Sequence, residues 1–290
     1  MENVEWGVAF SGGGQLGFAH IGVIRALEEA GIEPVAIAGT SAGSIFGGFW
    51  ACKKTAAEME DWAGGLETGK LIDFYFSFIH VVKIIVQLFG GKVRDFGLPP
   101  GVFRGEKFYR EMKRFIGDIR IKDIDIPLAI PAVDLDTGEE VIFSNRPEAD
   151  FGVFVMPQEI LLADAIRASI GVPGVFAPWY VAGRRLVDGG LADNLPVRRL
   201  RLLGAKERIA VDVGDAIPFE QPASKSLPGV LERSIAIMTR QLVSARHEES
   251  EVSIEPILPS VMIGDFRQND ILLKNGYNAA KEVLQAYFSA

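Results

Sequence analysis

A glycine stands two residues to either side of Ser41, in Gly39-Thr40-Ser41-Ala42-Gly43, between a short apolar run and a segment with helical chemistry. That arrangement leaves the chain few options. A serine at the apex of a sharp strand-to-helix turn projects its hydroxyl, and side chains at the flanking glycine positions would collide within the turn. The helix behind it offers the positive end of its dipole to negative charge developing near the hydroxyl. Ordinary glycine-rich turns produce the same five-residue pattern by chance, so the context decides: strand before, helix after.

The surrounding sequence supplies that context. Residues 4–10, VEWGVAF, are an apolar run with strand chemistry, ended by Ser11 and three glycines. Leu16, His20, Val23, Leu27 and Ala30 then recur at helical spacing, and Gly31 stands where a left-handed cap residue is wanted. Pro34 opens the run VAIAG that leads into Thr40 and Ser41. A β-α-β-α start implies a parallel sheet with helices on its faces. Further strands are expected at 127–135 and 139–144, bracketing a hairpin turn at Asp136-Thr137-Gly138, and at 184–190 and 208–214. Helices are expected near 105–117, 158–169, 228–248 and 270–288, the last with Leu272, Gly276, Ala279, Val283 and Tyr287 on one stripe. No repeat or linker divides the chain, so one domain over 1–290 is expected. Residues 68–104, aromatic and glycine-rich, suit an irregular cover over one end of the sheet.

Two more segments carry chemistry. Ser11-Gly12-Gly13-Gly14 follows the first strand, where consecutive glycines leave backbone N–H groups open to an anion. Gly12 to Gly17 also spells the dinucleotide pattern G-x-G-x-x-G. That pattern wants an acid at the end of the second strand, whereas this strand ends in Gly39-Thr40-Ser41 and the nearby acid, Glu33, precedes it. The nucleotide reading fails there. Val187-Asp188-Gly189-Gly190 delivers a carboxylate from a strand into an open turn, where it either serves a partner group or is a solvated turn aspartate. Asp193 and Asn194 are expected to cap the helix starting near Leu195-Pro196.

A serine nucleophile ordinarily has a histidine base, and none of the three histidines fits. His20 lies on an apolar helical stripe and reads as a core residue with its N–H satisfied. His80 lies in the irregular segment, and His247 in the charged stretch SARHEESE. The single cysteine, Cys52, excludes an internal disulfide and disfavours a thiolate metal site. A net charge of −8 with no basic cluster argues against nucleic acid and against electrostatic attraction to an anionic membrane, leaving apolar lipid contact open. Residues 71–89 are apolar but interrupted by Asp73, His80, Lys83 and Gln87, which suits a buried or lipid-touching cover better than a membrane span. The acidic first residues lack the layout of a secretory signal, so the cytosol is the expected compartment, with peripheral membrane contact.

In this order, Ser-Gly-Gly-Gly, Gly-Thr-Ser-Ala-Gly and Asp-Gly-Gly resemble the patatin-like phospholipase family. The likeness extends over most of the first 50 residues and over 168–197, ASIGVPGVFAPWYVAGRRLVDGGLADNLPV. It implies a three-layer α/β/α fold with a mostly parallel central sheet, no metal or other cofactor, and lipid or other ester substrates. It also implies a Ser–Asp dyad without histidine. Ser41 would attack the ester, Asp188 would act as base, and Gly12, Gly13 and Gly14 would donate to the oxyanion, with Gly39 and Gly43 forming the elbow. Independently of the resemblance, residues 71–100 are expected to form part of the acyl entrance, with Phe76 and Phe78 touching lipid or substrate tails. The same serine would serve an acyltransferase or thioesterase, and a chain without the chemistry would still bind lipid. One departure stands out: similar sequences carry a basic residue one or two positions after the glycine run, where this one has Gln15 and Leu16. That points away from anionic phospholipid as the preferred substrate.

Overall fold

The computed structural model describes residues 4–75, 99–214, 249–259, 261 and 265–289, together with isolated positions 230, 233, 234, 237 and 238. Most of the expected helix at 228–248, His80, His247, Phe76, Phe78 and most of the expected cover lie outside the described residues.

Chain order begins β1 (Trp6–Phe10), α1 (Ala19–Glu29), β2 (Ala36–Gly39), α2 (Ala42–Ala51), α3 (Ala56–Gly64) and α4 (Thr68–Leu71). It continues with β3 (Gly101–Phe103), α5 (Glu106–Ile116), β4 (Leu128–Asp134), β5 (Glu140–Ser144) and β6 (Phe154–Val155). Then follow α6 (Leu162–Ser169), β7 (Gly174–Phe176), β8 (Trp179–Val181) and β9 (Arg184–Asp188). The order ends with α7 (Val197–Leu202), β10 (Glu207–Val211), β11 (Val252–Ile254) and α8 (Asn269–Ser289). The described residues form a nine-stranded sheet ordered β11-β10-β1-β2-β4-β5-β6, with β9 pairing β4 and β8. From β11 to β4 every pairing is parallel, whereas β4–β5 and β4–β9 are antiparallel. The hairpin expected around residues 136–138 is the β4–β5 pair, and β3 and β7 form a separate two-stranded sheet.

The two faces of the central sheet differ in bulk. Val8, Phe10, Ile37, Ile130 and Val211 share one buried cluster with residues of α1, α2, α3, α6 and α8. The alternate positions are mostly small, Ala9, Ala36, Ala38, Ala129 and Ala210, and they cluster with Leu200 of α7. Strand alternation thus puts large side chains under α1, α2, α3, α6 and α8 and alanines under α7. Gly7 extends that economy: a Cβ there would lie 2.6 Å from Cβ of Ala205. The result is the expected three-layer α/β/α arrangement.

Three expectations need correcting. The helix expected over 158–169 begins at Leu162, because Gln158 and Ile160 carbonyls already accept N–H groups from Lys122 and Ile121. On α8 the buried stripe is Leu272, Gly276, Ala280 and Leu284 rather than one running to Tyr287. Gly276 sets that face, since a Cβ would come 2.1 Å from Ala19 O on α1. Asp193 and Asn194 do not cap α7, whose N-cap is Pro196 with no side-chain bond. Asp193 instead accepts from the buried Arg199 guanidinium (3.2 Å).

Candidate active site

Two parallel neighbours, β1 and β2, end at the same edge of the sheet, so the glycine loop after Phe10 and the turn after Gly39 lie side by side. The carboxyl ends of strands in an open α/β sheet are where such folds place ligands. β9 arrives from the opposite direction. Because β5 covers one edge of β4, both β2 and β9 pair along its other edge, β2 at Leu128 and Ala129 and β9 at Ala132 to Asp134. Extending the β2–β4 register from Ala38 opposite Ala129 sets Ser41 level with Ala132, and Ala132 is the partner of Asp188.

The side chains meet there. Ser41 Oγ donates to Asp188 Oδ2 at 2.7 Å, and Gly190 N–H donates to Asp188 Oδ1 at 2.8 Å. Burial pushes the Asp188 carboxyl up to about 6, against the opposing pull of the hydrogen bonds from Ser41 and Gly190. Ser41 has φ +50°, a positive value that a non-glycine residue holds only where its surroundings impose it. Those surroundings are evident. Ser41 N–H donates to Ser169 Oγ (3.0 Å), Ser41 O accepts from Ser44 Oγ (2.6 Å), and Thr40 Oγ1 donates to Asp193 O (2.7 Å). A Cβ on Gly39 would lie 2.4 Å from Gly43 O, and one on Gly43 would lie 2.2 Å from Phe10 O. Both flanking glycines are sterically required.

The glycine loop touches the serine directly, since a Cβ on Gly12 would come 3.0 Å from Ser41 Cβ and 2.3 Å from Asn194 Oδ1. Its donors differ from expectation. Gly12 N–H is committed to Asn194 O at 3.0 Å, which removes it from the three glycines expected to face an oxyanion. Gly13 and Gly14 are left for that position, Gly14 with φ +55° and beside Ser41 in the pocket wall.

An apolar pocket opens at Ser41. Phe18, Ala42, Ile45, Phe46 and Leu71 form its buried wall, while Ile72, Phe103, Phe108, Val172, Phe176 and Phe266 are half-buried. Among its described lining residues Ser41 and Gln15 bring polar side chains, and none of these residues is charged. Gln15 Nε2 donates to Asn269 Oδ1 (3.1 Å), and Leu16 is part of the core, so neither position after the glycine run presents a cation. Asp73, which interrupts the apolar stretch in sequence, caps α5 by accepting from Gly105, Glu106 and Lys107 N–H groups and so holds Ile72 over the pocket. Arg167 Nη2 donates to Arg104 O (2.7 Å) and Ala177 O (2.8 Å), tying the ends of β3 and β7 together behind Phe103 and Phe176.

Burial pushes the Cys52 thiol up to about 11, so it is not a thiolate at neutral pH. Among the described residues no group of three His, Cys, Asp or Glu side chains could hold a metal ion, and no helix is long and apolar enough to cross a membrane. His20 is fully buried, and its Nε2 bonds Ser11 O rather than Ser41. Ser169, the Asn194 carbonyl and the aromatic walls at Phe103, Phe176 and Phe266 escaped the sequence reading. Ser169 lies inside the 168–197 block, but nothing local marks it as Ser41's acceptor.

The family model for patatin-like phospholipase matches residues 8–201, a span that contains the glycine loop, Ser41 and Asp188. The chain belongs to the patatin-like phospholipase family. An uncharacterized NTE family protein of Mycobacterium bovis is 33% identical over 234 residues, covering 80% of this chain and 55% of that protein. Lysophospholipase NTE1 of Saccharomyces cerevisiae is 31% identical over 218 residues, covering 72% of this chain and 11% of that protein. The patatin-like chain thus spans about half the length of the mycobacterial relative and about a tenth of the yeast one. Among solved structures, VipD from Legionella pneumophila superposes with a TM-score of 0.58 at 15% identity, covering 97% of this chain and 67% of that one. ExoU of Pseudomonas aeruginosa, in complex with SpcU, gives a TM-score of 0.51 at 15% identity, covering 99% of this chain and 53% of the matched chain. These likenesses establish the fold.

Proposed function

We propose that this patatin-like chain is a serine acyl hydrolase acting on lipid carboxylic esters, of phospholipase A, lysophospholipase or esterase type. The carrying observation is the 2.7 Å hydrogen bond from Ser41 Oγ to a buried carboxylate beside an apolar pocket. Ser41 Oγ attacks the ester carbonyl carbon while its proton passes to Asp188 Oδ2, within the reach a general base requires. The carbonyl electrons move onto oxygen, where N–H groups of Gly13 and Gly14 stabilise the charge. Collapse breaks the bond to the alcohol, which takes the proton back from Asp188. Water then repeats the sequence on the acyl-serine, releasing the fatty acid and restoring Ser41.

The acyl chain occupies the pocket between Phe46, Ile45 and Val172. Exposed Phe74 packs against Phe103 of the pocket wall at 5.3 Å, which supports a peripheral, apolar contact with the lipid surface that supplies the substrate. The names of the fungal relatives, lysophospholipase NTE1, agree with this substrate class.

Labelling with a fluorophosphonate tests the reading. Wild type is expected to label and to hydrolyse long-chain esters, Ser41→Ala to do neither while remaining folded, and Asp188→Asn to label far more slowly. Hydrolysis retained in Ser41→Ala would remove the assignment.

A further inference from the structure

We propose that His20 is a positioning residue of the oxyanion loop, holding the Ser11–Gly12 peptide so that the following N–H groups face the reacting carbonyl. The inference rests on the serine hydrolase reading and adds to it a role for a histidine that never touches substrate.

The Ser11–Gly12 peptide is gripped on both of its polar sides. Ser11 O bonds His20 Nε2 at 2.9 Å, and Gly12 N–H donates to Asn194 O at 3.0 Å. Ser11 is fixed further by its N–H donating to Val211 O (2.9 Å) and its Oγ accepting from Val213 N–H (2.9 Å). The residues beyond, Gly13 and Gly14, have no side chains to anchor them, and glycine backbones adopt alternative φ/ψ pairs at little cost. A peptide that rotated at Ser11–Gly12 would carry the next N–H groups with it. Within the loop, Leu16 N–H donates to Gly13 O (3.1 Å), but that turn bond leaves the Ser11–Gly12 peptide to be oriented from outside.

His20 is suited to impose it. A carbonyl oxygen only accepts, so the bond to Ser11 requires the hydrogen on Nε2. Burial holds the ring well below its ordinary range, at about 4, so it is neutral and Nδ1 carries a lone pair. The facing acid, Asp212, and the Ser11 carbonyl pull the other way without overcoming burial. An edge contact with Phe10 (5.1 Å, 74°) and a tilted one with Phe46 (6.3 Å, 57°) hold the ring plane, and Phe46 itself lines the pocket beside Ser41.

Among the described residues the buried Nδ1 has no hydrogen-bond partner. A buried unsatisfied acceptor destabilises a fold, and on this apolar stripe of α1 a leucine or phenylalanine would avoid it. A polar ring at this position is a poor choice for packing and a good one for holding Ser11 O.

The experiment compares His20→Phe, which keeps the aromatic packing but has no donor, with His20→Gln, whose amide can donate, and with Ser41→Ala. The readouts are kcat and KM on p-nitrophenyl butyrate, affinity for a trifluoromethyl ketone transition-state analogue, and thermal stability. Direct loss of one oxyanion donor lowers kcat about 10²–10³-fold, so loss of its positioning is expected to lower kcat about 10–100-fold. KM should stay within about twofold, analogue affinity should fall in step with kcat, and His20→Gln should recover most of the loss. Unchanged kcat in His20→Phe, or losses in both variants that follow stability alone, would overturn the proposal. Absence of Ser41-dependent hydrolysis in wild type would remove both this proposal and the reading it rests on. Nitrogen-15 NMR of the wild-type imidazole gives a check free of substitution: the Nε2–H neutral tautomer is expected, and an Nδ1–H tautomer would exclude Ser11 O as its acceptor and overturn the proposal.

Discussion

Ser41 and Asp188, separated by 147 positions, meet because β2 and β9 run toward each other along the same edge of β4 and stop one turn apart. The opposed strands leave both side chains at an interruption in the sheet, with main-chain donors on either side and the apolar pocket in front. A carboxylate in that gap is deprived of water yet keeps hydrogen bonds from Ser41 and Gly190. Its affinity for a proton follows from that balance, with burial the larger influence.

The pH dependence of catalysis should report this carboxylate. Asp188 can accept the Ser41 proton only when ionised, and burial raises it from 3.8 to about 6. Activity is therefore expected to fall as pH drops through about 6, about tenfold per unit below it. The measurement is kcat/KM on a soluble ester between pH 4.5 and 8. An acid limb near 4 would show that the working carboxylate is solvated and not buried.

The elbow glycines should be far less tolerant than glycines elsewhere. At Gly43 an added methyl meets main chain, Phe10 O at 2.2 Å, whereas Gly64 at the end of α3 has no other atom within 4 Å of such a group. Gly43→Ala is expected to destabilise by about 3 kcal/mol or more through forced backbone displacement and to abolish labelling of Ser41. Gly64→Ala is expected to be neutral or to stabilise by up to about 1 kcal/mol. Denaturant unfolding of both variants checks the contrast.

Chain-length preference should yield to a single substitution in the pocket wall. Val172 lines the apolar pocket that begins at Ser41 and is only half-buried, so a larger ring can enter the space proposed for the acyl chain. Val172→Trp is expected to reduce hydrolysis of long-chain esters at least about tenfold, with acetate or butyrate esters little affected, in line with the 1–3 kcal/mol that pocket shape commands. Equal loss on both substrates would mean that the residue supports the core and not the chain.

The site was legible in sequence where its geometry is local. The Ser41 turn needs only a strand, two glycines and a helix in succession, and all of these are contiguous. Asp188 was identifiable as a carboxylate at a strand end, but its contact with Ser41 depends on how β2 and β9 register against β4, which no local pattern encodes. Gly12 looked equivalent to Gly13 and Gly14 until Asn194, brought close by the turn after Asp188, took its N–H. Asp193 looked like a helix cap because capping is its commonest local use. Arg199, buried in the first turn of α7, instead provides a partner that outweighs a cap. The aromatic wall eluded the sequence for a similar reason: Phe103, Phe176 and Phe266 come from three distant segments and share no period.

The two buried titrating groups of the site should shape stability in opposite directions, and single substitutions should separate them. His20 is lowered from 6.5 to about 4, so between those values the unfolded chain binds the proton and the native chain does not. Acidification through that window therefore removes stability, by about 3 kcal/mol at one pKa unit per 1.4 kcal/mol. Asp188 is raised from 3.8 to about 6, so the native chain binds the proton first and acidification through its window adds stability, again by about 3 kcal/mol. In wild type the two largely cancel between pH 6.5 and 4. Asp188→Asn keeps the Oδ1 acceptor for Gly190 and removes the buried charge, so it is expected to be the more stable protein at pH 8 and to lose its advantage steadily as pH falls. His20→Phe removes the opposing effect, and its stability relative to wild type should rise on acidification over the same range. Urea unfolding of the three proteins at pH 4.5, 6 and 8 measures both differences, and other carboxylates drop out of the comparison because all three chains share them. Parallel curves for wild type and Asp188→Asn would show that Asp188 is not raised in the fold.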